Sequence, residues 1–453
     1  MKHTLDNISV SSLAKMIQTK NITPIEVVHA FFEKIENTNP AIDAWEILNK
    51  EEAIAKASSI EKKILRKQPL GLLCGIPYAA KDIIFTKNLA TTASSALKTS
   101  FIPRASATVI TNLENEDAIL LGKTKTAEFA YGRTSLTANP WNVTHSAGGS
   151  SSGSAAAVSA DMASFSIGSQ TGGSLLRPAS FCGLVSMKPT LGRISTRHVF
   201  PVSWTLDHLG PMTKTVRDQA LVLHVLSGFD FHNPPSLNVK KINHTIPTLK
   251  NLKGIRIGLP NTYFFDDLQP SVAIALKSSI DTLRYLGADI IECTLPSSFD
   301  AANAAHPIIM MAEASSYHAK NFEKSQHSYT KSVQEQLASG NIIPSSSYIK
   351  SLHIRKLFIQ ELIEMFQKTD ILLTPSVPTT APLKGITGDP KFNSIFTLAG
   401  VPALTIPCGI DEHSLPIGLQ LVGKAFSEEL LLSVALAFEK TFSLYERNEC
   451  DDI

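Results

Sequence analysis

The stretch from His145 to Arg177 carries two Gly-Gly-Ser triplets, Gly148-Gly149-Ser150 and Gly172-Gly173-Ser174, with almost no charge between them. Glycine has no Cβ, so it accepts positive φ and lets successive main-chain N–H groups converge on one point. A small-residue run, Ser154-Ala155-Ala156-Ala157, separates the two turns. Together they commit the fold to closely packed backbone and to a site lined by hydroxyls and peptide groups. A surface linker would lack the apolar positions Val158, Met162, Phe165 and Ile167 that lie between the turns.

The rest of the chain alternates helical and strand patterns. Thr23-Pro24-Ile25-Glu26 unites a capping box with proline at the first helical position. Val27, Val28, Phe31, Phe32 and Ile35 follow at helical spacing, and residues up to about Lys67 read as helical throughout. Tyr78 to Phe85 reads as a buried strand interrupted by Lys81 and Asp82. Ala118 to Leu121 reads as a second strand, ending in Gly122-Lys123-Thr124. That triplet is similar to the end of a phosphate-binding loop, but Asp117 stands where the loop's first glycine belongs, so a nucleotide site is rejected. Residues 138–142 read as a loop.

From about residue 213 an amphipathic helix returns through Val216, Ala220, Leu221, Leu223 and Leu226. A polar connection over 236–255 leads to a short strand at Ile255 to Leu259. Residues 270–365 read as mainly helical, with a loop near Asn341 to Ser347. Ile371 to Pro375, Val401 to Cys408 and Ile417 to Val422 read as strands before a helix from Glu428 to Thr441. No repeat and no long linker interrupt this order, so one α/β domain over 1–453 is expected. Its parts are an N-terminal helical layer (1–67), a catalytic core segment (68–215), a variable helical segment (216–370) and C-terminal strands with a helix (371–453).

Charge and cysteine content narrow the function classes. With 42 basic and 40 acidic residues the net charge is +2, which gives no footprint for nucleic acid or an anionic membrane. Cys74, Cys182, Cys293, Cys408 and Cys450 are odd in number and scattered, the pattern of free thiols in a reducing cytoplasm. The N-terminus has no apolar signal stretch and no run reaches membrane-spanning length, so a cytoplasmic protein is expected. No His, Cys or carboxylate cluster has metal-ligand spacing, so no metal or cofactor is expected.

A serine hydroxyl needs a proton acceptor within hydrogen-bond reach before it can attack a carbonyl. Gly149-Ser150-Ser151-Ser152-Gly153 matches a Gly-x-Ser-x-Gly elbow with Ser151 as nominal nucleophile, the basis for a Ser-His-Asp esterase reading. That elbow needs a strand before it, which a loop at 138–142 does not supply. Ser-x-x-Lys occurs at Ser59–Lys62, Ser328–Lys331 and Ser347–Lys350 without partner motifs, as chance gives in such a chain. Lys81 differs, because the apolar residues on both sides carry its amine into low dielectric. Burial lowers a lysine's pKa, the condition for acting as a base. Pairing with Asp82, or reaching solvent at the strand end, would remove that property.

An ordered set of segments resembles the amidase signature family over nearly the whole chain. The set begins with Gly75-Ile76-Pro77 and Lys81-Asp82, continues with Ala147-Gly148-Gly149-Ser150-Ser151-Ser152-Gly153-Ser154-Ala155-Ala156, and then with Thr171-Gly172-Gly173-Ser174 and Pro178-Ala179. Phe181-Cys182-Gly183, Lys188-Pro189-Thr190, Gly192-Arg193, Leu206-Asp207 and Gly210-Pro211 follow in order. Gly400-Val401-Pro402-Ala403-Leu404 and Leu415-Pro416-Ile417-Gly418-Leu419-Gln420 complete it.

The resemblance implies an α/β/α fold, a central mixed β-sheet flanked by helices on both faces, and hydrolysis of a small-molecule amide without a cofactor. It implies Ser174 as nucleophile, Ser150 as bridging serine and Lys81 as general base. The 24-residue spacing of the serines agrees with the family pattern and favours Ser150 over Ser151 or Ser152. It further implies a cis Gly149–Ser150 peptide and an oxyanion hole built from the backbone N–H groups of Thr171, Gly172, Gly173 and Ser174. Gln170, Arg177 and Asp207 are expected to support the site, Asp207 with His208 and Glu128 by fixing loops, and Cys182 to pack in the core.

Many members carry Asp before Thr-Gly-Gly-Ser and Arg two residues after the nucleophile, whereas this chain has Gln170, Leu176 and Arg177. That form is similar to stand-alone amidases more than to the glutaminase subunit of tRNA-dependent amidotransferases, the alternative reading. Arg177 is expected to brace the loop, with a substrate carboxylate as its other candidate partner. Segments 125–145, 300–350 and 375–395 are expected to supply the pocket, and Ala304 to Met311 either line it or pack in the core. The assembly state stays open, a homodimer being the candidate carried forward.

Overall fold

Thr23 and Glu26 exchange hydrogen bonds between side chain and backbone, so the capping box starts its helix where the sequence places it. The structure is a computed structural model that describes residues 5–133 and 136–445; Cys450 lies outside them. Helices α1 (Val10–Gln18) and α2 (Pro24–Ile42) open the chain. The expected continuous helical layer is broken there. Asp43 takes positive φ (60°) at the helix end, and strand β1 (Trp45–Leu48) pairs antiparallel with a later strand before α3 (Lys50–Leu65) begins.

Strand β2 (Pro77–Lys81) is shorter than the expected Tyr78 to Phe85, because the chain turns at Asp82. After α4 (Thr108–Asn115) comes β3 (Ile119–Thr124), which runs straight through Gly122-Lys123-Thr124, so that triplet is strand and forms no phosphate loop. The expected loop at 138–142 is instead a small hairpin, β4 (Ala138–Asn139) with β5 (Asn142–Ser146), outside the main sheet. Helix α5 (Ser152–Ser159), β6 (Phe165–Gln170), α6 (Leu176–Phe181), β7 (Val185–Lys188) and β8 (His208–Thr213) follow.

Next in order are α7 (Val216–Leu226), β9 (Arg256–Pro260) and α8 (Pro270–Tyr285). The region read as helical over 270–365 contains strand β10 (Asp289–Cys293), followed by α9 (Phe299–Ser325), α10 (Lys331–Asn341) and α11 (Ser345–Lys368). The C-terminal part comprises β11 (Ile371–Pro375), α12 (Ser394–Ala399), β12 (Ala403–Ile410), β13 (Pro416–Gly423) and α13 (Glu428–Glu439).

Eleven of the strands form one mixed sheet in the order β1-β3-β2-β6-β8-β7-β12-β13-β11-β9-β10, flanked by helices. Strands β2, β3, β6, β7 and β8 are buried at every residue, which requires cover on both faces. No helix among the described residues is long and apolar enough to cross a membrane.

Strand directions place the site. Strands β3, β2 and β6 are mutually parallel, while β8 runs antiparallel to β6 with His208 opposite Gln170. The end of β2 at Lys81, the end of β6 at Gln170 and the start of β8 at His208 therefore share one edge. Crevices at the carboxyl ends of parallel strands are where α/β sheets bind ligands.

Candidate active site

Lys81 is the last residue of β2 and is fully buried. Its nominal partner Asp82 is engaged elsewhere: one oxygen accepts from the N–H and hydroxyl of Thr92, and the other lies 3.2 Å from Lys123 Nζ. Lys81 Nζ instead has three hydroxyl neighbours, Ser150 Oγ at 2.7 Å, Ser169 Oγ at 2.8 Å and Ser151 Oγ at 2.9 Å. Burial pushes its pKa well below the ordinary lysine value; the charge of Asp207 opposes that shift and that of Arg177 adds to it.

The Gly149–Ser150 peptide is cis, the geometry the resemblance implies. Arg177 holds its carbonyl: Nε and Nη2 donate to Gly149 O at 3.0 and 2.6 Å, while Nη1 donates to Gly388 O at 2.5 Å. The guanidinium thus joins two segments that are far apart in the chain. These contacts tie the cis turn to the segment at Gly388. Beyond Ser150, Ser151 is also fully buried. Its hydroxyl donates to Ser169 O at 3.2 Å and accepts from the Ser169 N–H at 3.2 Å. Among the described residues, these hydrogen bonds connect Ser151 to Lys81 and Ser169 and to no histidine.

Ser174 belongs to the loop between β6 and α6 and is only partly buried, in contrast to Ser150. Its carbonyl accepts from the Ser151 N–H at 3.2 Å, which lays the loop alongside the cis turn. Gln170 supports the loop from below. Its Oε1 accepts from the N–H groups of Leu175 and Leu176, both at 3.0 Å, and its Nε2 donates to Thr397 Oγ1 at 2.9 Å.

The loop carbonyls all point into protein. Thr171 O lies 2.8 Å from His306 Nε2, Gly172 O accepts from Thr397 Oγ1 at 2.7 Å, and Gly173 O accepts from the Arg177 N–H at 3.0 Å. In a trans peptide the carbonyl and the following N–H point in opposite directions. Holding these three carbonyls on protein partners therefore turns the N–H groups of Gly172, Gly173 and Ser174 away from those partners. The Thr171 N–H is not oriented by these contacts.

Asp207 fixes the neighbouring loop, accepting from Thr171 Oγ1 at 2.5 Å and from the N–H groups of Val202 and Ser203 at 2.9 and 3.1 Å. Burial raises its pKa to about 6. His208 is kept neutral by burial and by the charge of Lys188, and its Nδ1 lies 2.6 Å from Leu206 O. Glu128 ties Ser95 to Thr330. Cys182 is buried in the core, which raises its thiol pKa.

Ser169, His306 and Thr397 carried no motif signal, although His306 falls within the segment expected to line the pocket or the core. In that segment Ala305 and Ile309 are buried, while His306 reaches the loop. Burial lowers its pKa to about 4, so it is neutral at pH 7.

Known proteins resemble this chain along nearly its whole length. The Amidase family model matches residues 26–432. The A subunit of glutamyl-tRNA(Gln) amidotransferase from Staphylococcus epidermidis is 36% identical, over 97% of this chain and 98% of that protein. A solved chain described with a vestigial protein complex and the evolutionary origins of an s-triazine catabolic enzyme superposes with a TM-score of 0.91 at 27% identity, over 97% of this chain and 100% of that one. Native peptide amidase from Stenotrophomonas maltophilia superposes with a TM-score of 0.85 at 27% identity, over 98% of each chain. The chain belongs to the amidase family, the amidase signature enzymes, which are hydrolases of carbon–nitrogen amide bonds.

Proposed function

We propose that this amidase works through an acyl-enzyme on Ser174, with Ser150 as proton bridge and Lys81 as general base. The observation that carries this reading is the buried Lys81 amine, deprived of Asp82 and 2.7 Å from Ser150 Oγ. An uncharged amine offers two N–H groups and one lone pair to its three hydroxyl neighbours. Ser151 directs its own proton to Ser169 O and so takes an N–H from the amine. With the second N–H directed to Ser169, the lone pair faces Ser150.

Lys81 then accepts the Ser150 proton as Ser150 accepts that of Ser174, and Ser174 Oγ bonds to the amide carbon. The N–H groups of Gly172, Gly173 and Ser174 hold the developing oxyanion; one such donor is worth about 2.7–4 kcal/mol of barrier. The carbon–nitrogen bond breaks as the proton returns through Ser150 to the leaving nitrogen. Water, deprotonated along the same path, cleaves the ester and restores Ser174. The reading needs no cofactor, and the free buried cysteines suit a cytoplasmic setting.

Ser174→Ala is expected to abolish turnover of small amides by the isolated chain, while Ser151→Ala, which leaves Ser150 and Ser174 in place, costs much less. The reverse order would favour the esterase reading. The end-to-end likeness to one component of an amidotransferase supports a second reading, a glutaminase that works with partner proteins. Activity on glutamine that appears only when a second component is added would select it.

A further inference from the structure

The three carbonyls of the loop between β6 and α6 are held in three different ways. Gly173 O takes the N–H of Arg177, four residues on, and Gly172 O takes the Thr397 hydroxyl. Thr171 O takes an imidazole: His306 Nε2 lies 2.8 Å away, although 135 residues separate the two in the chain. A carbonyl only accepts, so the ring proton sits on Nε2 and Nδ1 is bare. Burial keeps the ring uncharged. With its proton committed to Thr171 O, Nε2 has no lone pair with which to deprotonate a serine.

Two observations give this contact a role in the reaction. The first is where the ring is mounted. His306 projects from the N-terminal third of α9, a 27-residue helix anchored by the buried side chains of Phe299, Ala302, Ala305 and Ile309. A donor on such a helix keeps its place more closely than one on a loop.

The second is what else holds the peptide between Thr171 and Gly172. The Thr171 hydroxyl is tethered to Asp207 at 2.5 Å, which fixes the side chain and not the plane of the following peptide. A peptide plane can turn between two stationary Cα atoms through ψ of one residue and φ of the next. Gly172 has no Cβ to resist that turn. Packing does not resist it either: among the described residues, a Cβ at Gly172 would meet His306 Cε1 at 3.7 Å and Pro390 Cβ at 3.8 Å, both ordinary contacts. At Gly173, by contrast, a Cβ would lie 2.6 Å from Asn393 Oδ1, and packing itself confines the backbone. The hydrogen bond from His306 therefore sets the plane that packing leaves free. In a trans peptide the Gly172 N–H points opposite to the Thr171 carbonyl.

We propose that His306 is a positioning residue for the hydrolysis: by holding the Thr171 carbonyl it aims the Gly172 N–H at the developing oxyanion. It acts through the loop and lowers the barrier without changing how the substrate is bound. The proposal rests on the acyl-enzyme reading above and adds to it a residue outside the glycine-serine motifs.

Turnover of p-nitrophenyl acetate, an activated acyl donor, tests both levels. Acylation of Ser174 and hydrolysis of the acyl-enzyme pass through the same oxyanion, so a misaimed donor slows both steps together. Under that condition kcat falls while KM stays. His306→Leu and His306→Phe, which occupy the space without a donor, are expected to lower kcat about tenfold or more, part of the roughly 10²–10³-fold cost of losing one oxyanion donor. KM is expected to stay within about twofold of the parent. His306→Gln, which places an amide N–H at similar reach, is expected to recover most of the loss in kcat.

Thermal melting checks that each variant is folded, and either folded donor-free variant suffices. A folded donor-free variant with the parent's kcat, a loss that enters through KM, or a glutamine variant no better than the leucine one overturns the proposal. Failure of both donor-free variants to fold overturns it as well, because the ring then serves the fold and not the loop. Nitrophenolate release that persists in Ser174→Ala, or that the parent chain does not show, sinks the acyl-enzyme reading itself. Release that depends on Ser174 but is unchanged in His306→Leu sinks only the role of His306.

Discussion

Asp82 follows Lys81 in the chain yet binds Lys123 and Thr92, and this leaves Lys81 with hydroxyls alone. A lysine paired with a carboxylate keeps its proton, whereas one buried among hydroxyls loses it more readily. Removing that amine should act most strongly where a leaving nitrogen needs a proton. Lys81→Ala is expected to lower amide turnover about 10²–10⁴-fold, the usual worth of general acid–base catalysis, and turnover of the acyl-matched ester by less. Equal losses on the two substrates would contradict the relay. Because the folded-state pKa is depressed, the active neutral form persists well below pH 10.5, and the acid limb, where this lysine takes up a proton and turnover falls, should lie well below that value. Lys81 was legible as an ionisable residue in an apolar stretch, and Ser150 and Ser174 through their glycines. Ser169, His306 and Thr397 were not, since each contributes through a contact to a distant part of the chain that no local pattern encodes.

The cis turn and the loop that carries Ser174 are held by elements packed too closely to admit extra atoms. Gly153, in the first turn of α5, is an example: a Cβ there would lie 2.2 Å from Ala44 O and 2.6 Å from Lys125 N. Backbone cannot retreat as a flexible side chain can. Gly153→Ala is therefore expected to destabilise the protein by about 1–3 kcal/mol, the range for overpacking, and to lower kcat because Ser150 precedes the displaced helix. Urea denaturation and turnover on one preparation check both, and a variant as stable and active as the parent would refute it. Elements with strong periodicity, such as α2 and the final strand pair, were readable in advance. Strand β1 was hidden by its four-residue length between two helices. Strand β6, Phe-Ser-Ile-Gly-Ser-Gln, was hidden by serine and glycine, residues that burial on both faces allows but propensity does not favour. Strand β8 contains Gly210 and Pro211, which strand propensity disfavours, and β10 sits inside a long helical region.

Strands from residues 45–213 form one half of the sheet and strands from 256–423 the other, joined where β7 pairs with β12 through Lys188, Met187 and Ser186. Lys188 is buried at that seam, with Nζ donating to Val401 O, and burial lowers its pKa from 10.5 to about 7. A depressed folded-state pKa means that the unfolded chain binds the extra proton between pH 7 and 10.5. Stability from this group is thus complete above pH 10.5 and is lost as pH falls through about 7, a change on the order of a few kcal/mol. Lys188→Met is expected to flatten the rise in unfolding free energy between pH 7 and 10 relative to the parent; parallel pH curves would show that the proton is bound elsewhere. The same division of the sheet separates the groups proposed to react from part of their bracing. Lys81, Ser150 and Ser174 belong to the first half, whereas Gly388 and Thr397, which hold Arg177 and the Gly172 carbonyl, belong to the second. During synthesis on the ribosome the serine proposed to react thus emerges long before Gly388 and Thr397, so its loop is braced on that side only once the later part of the chain has been made.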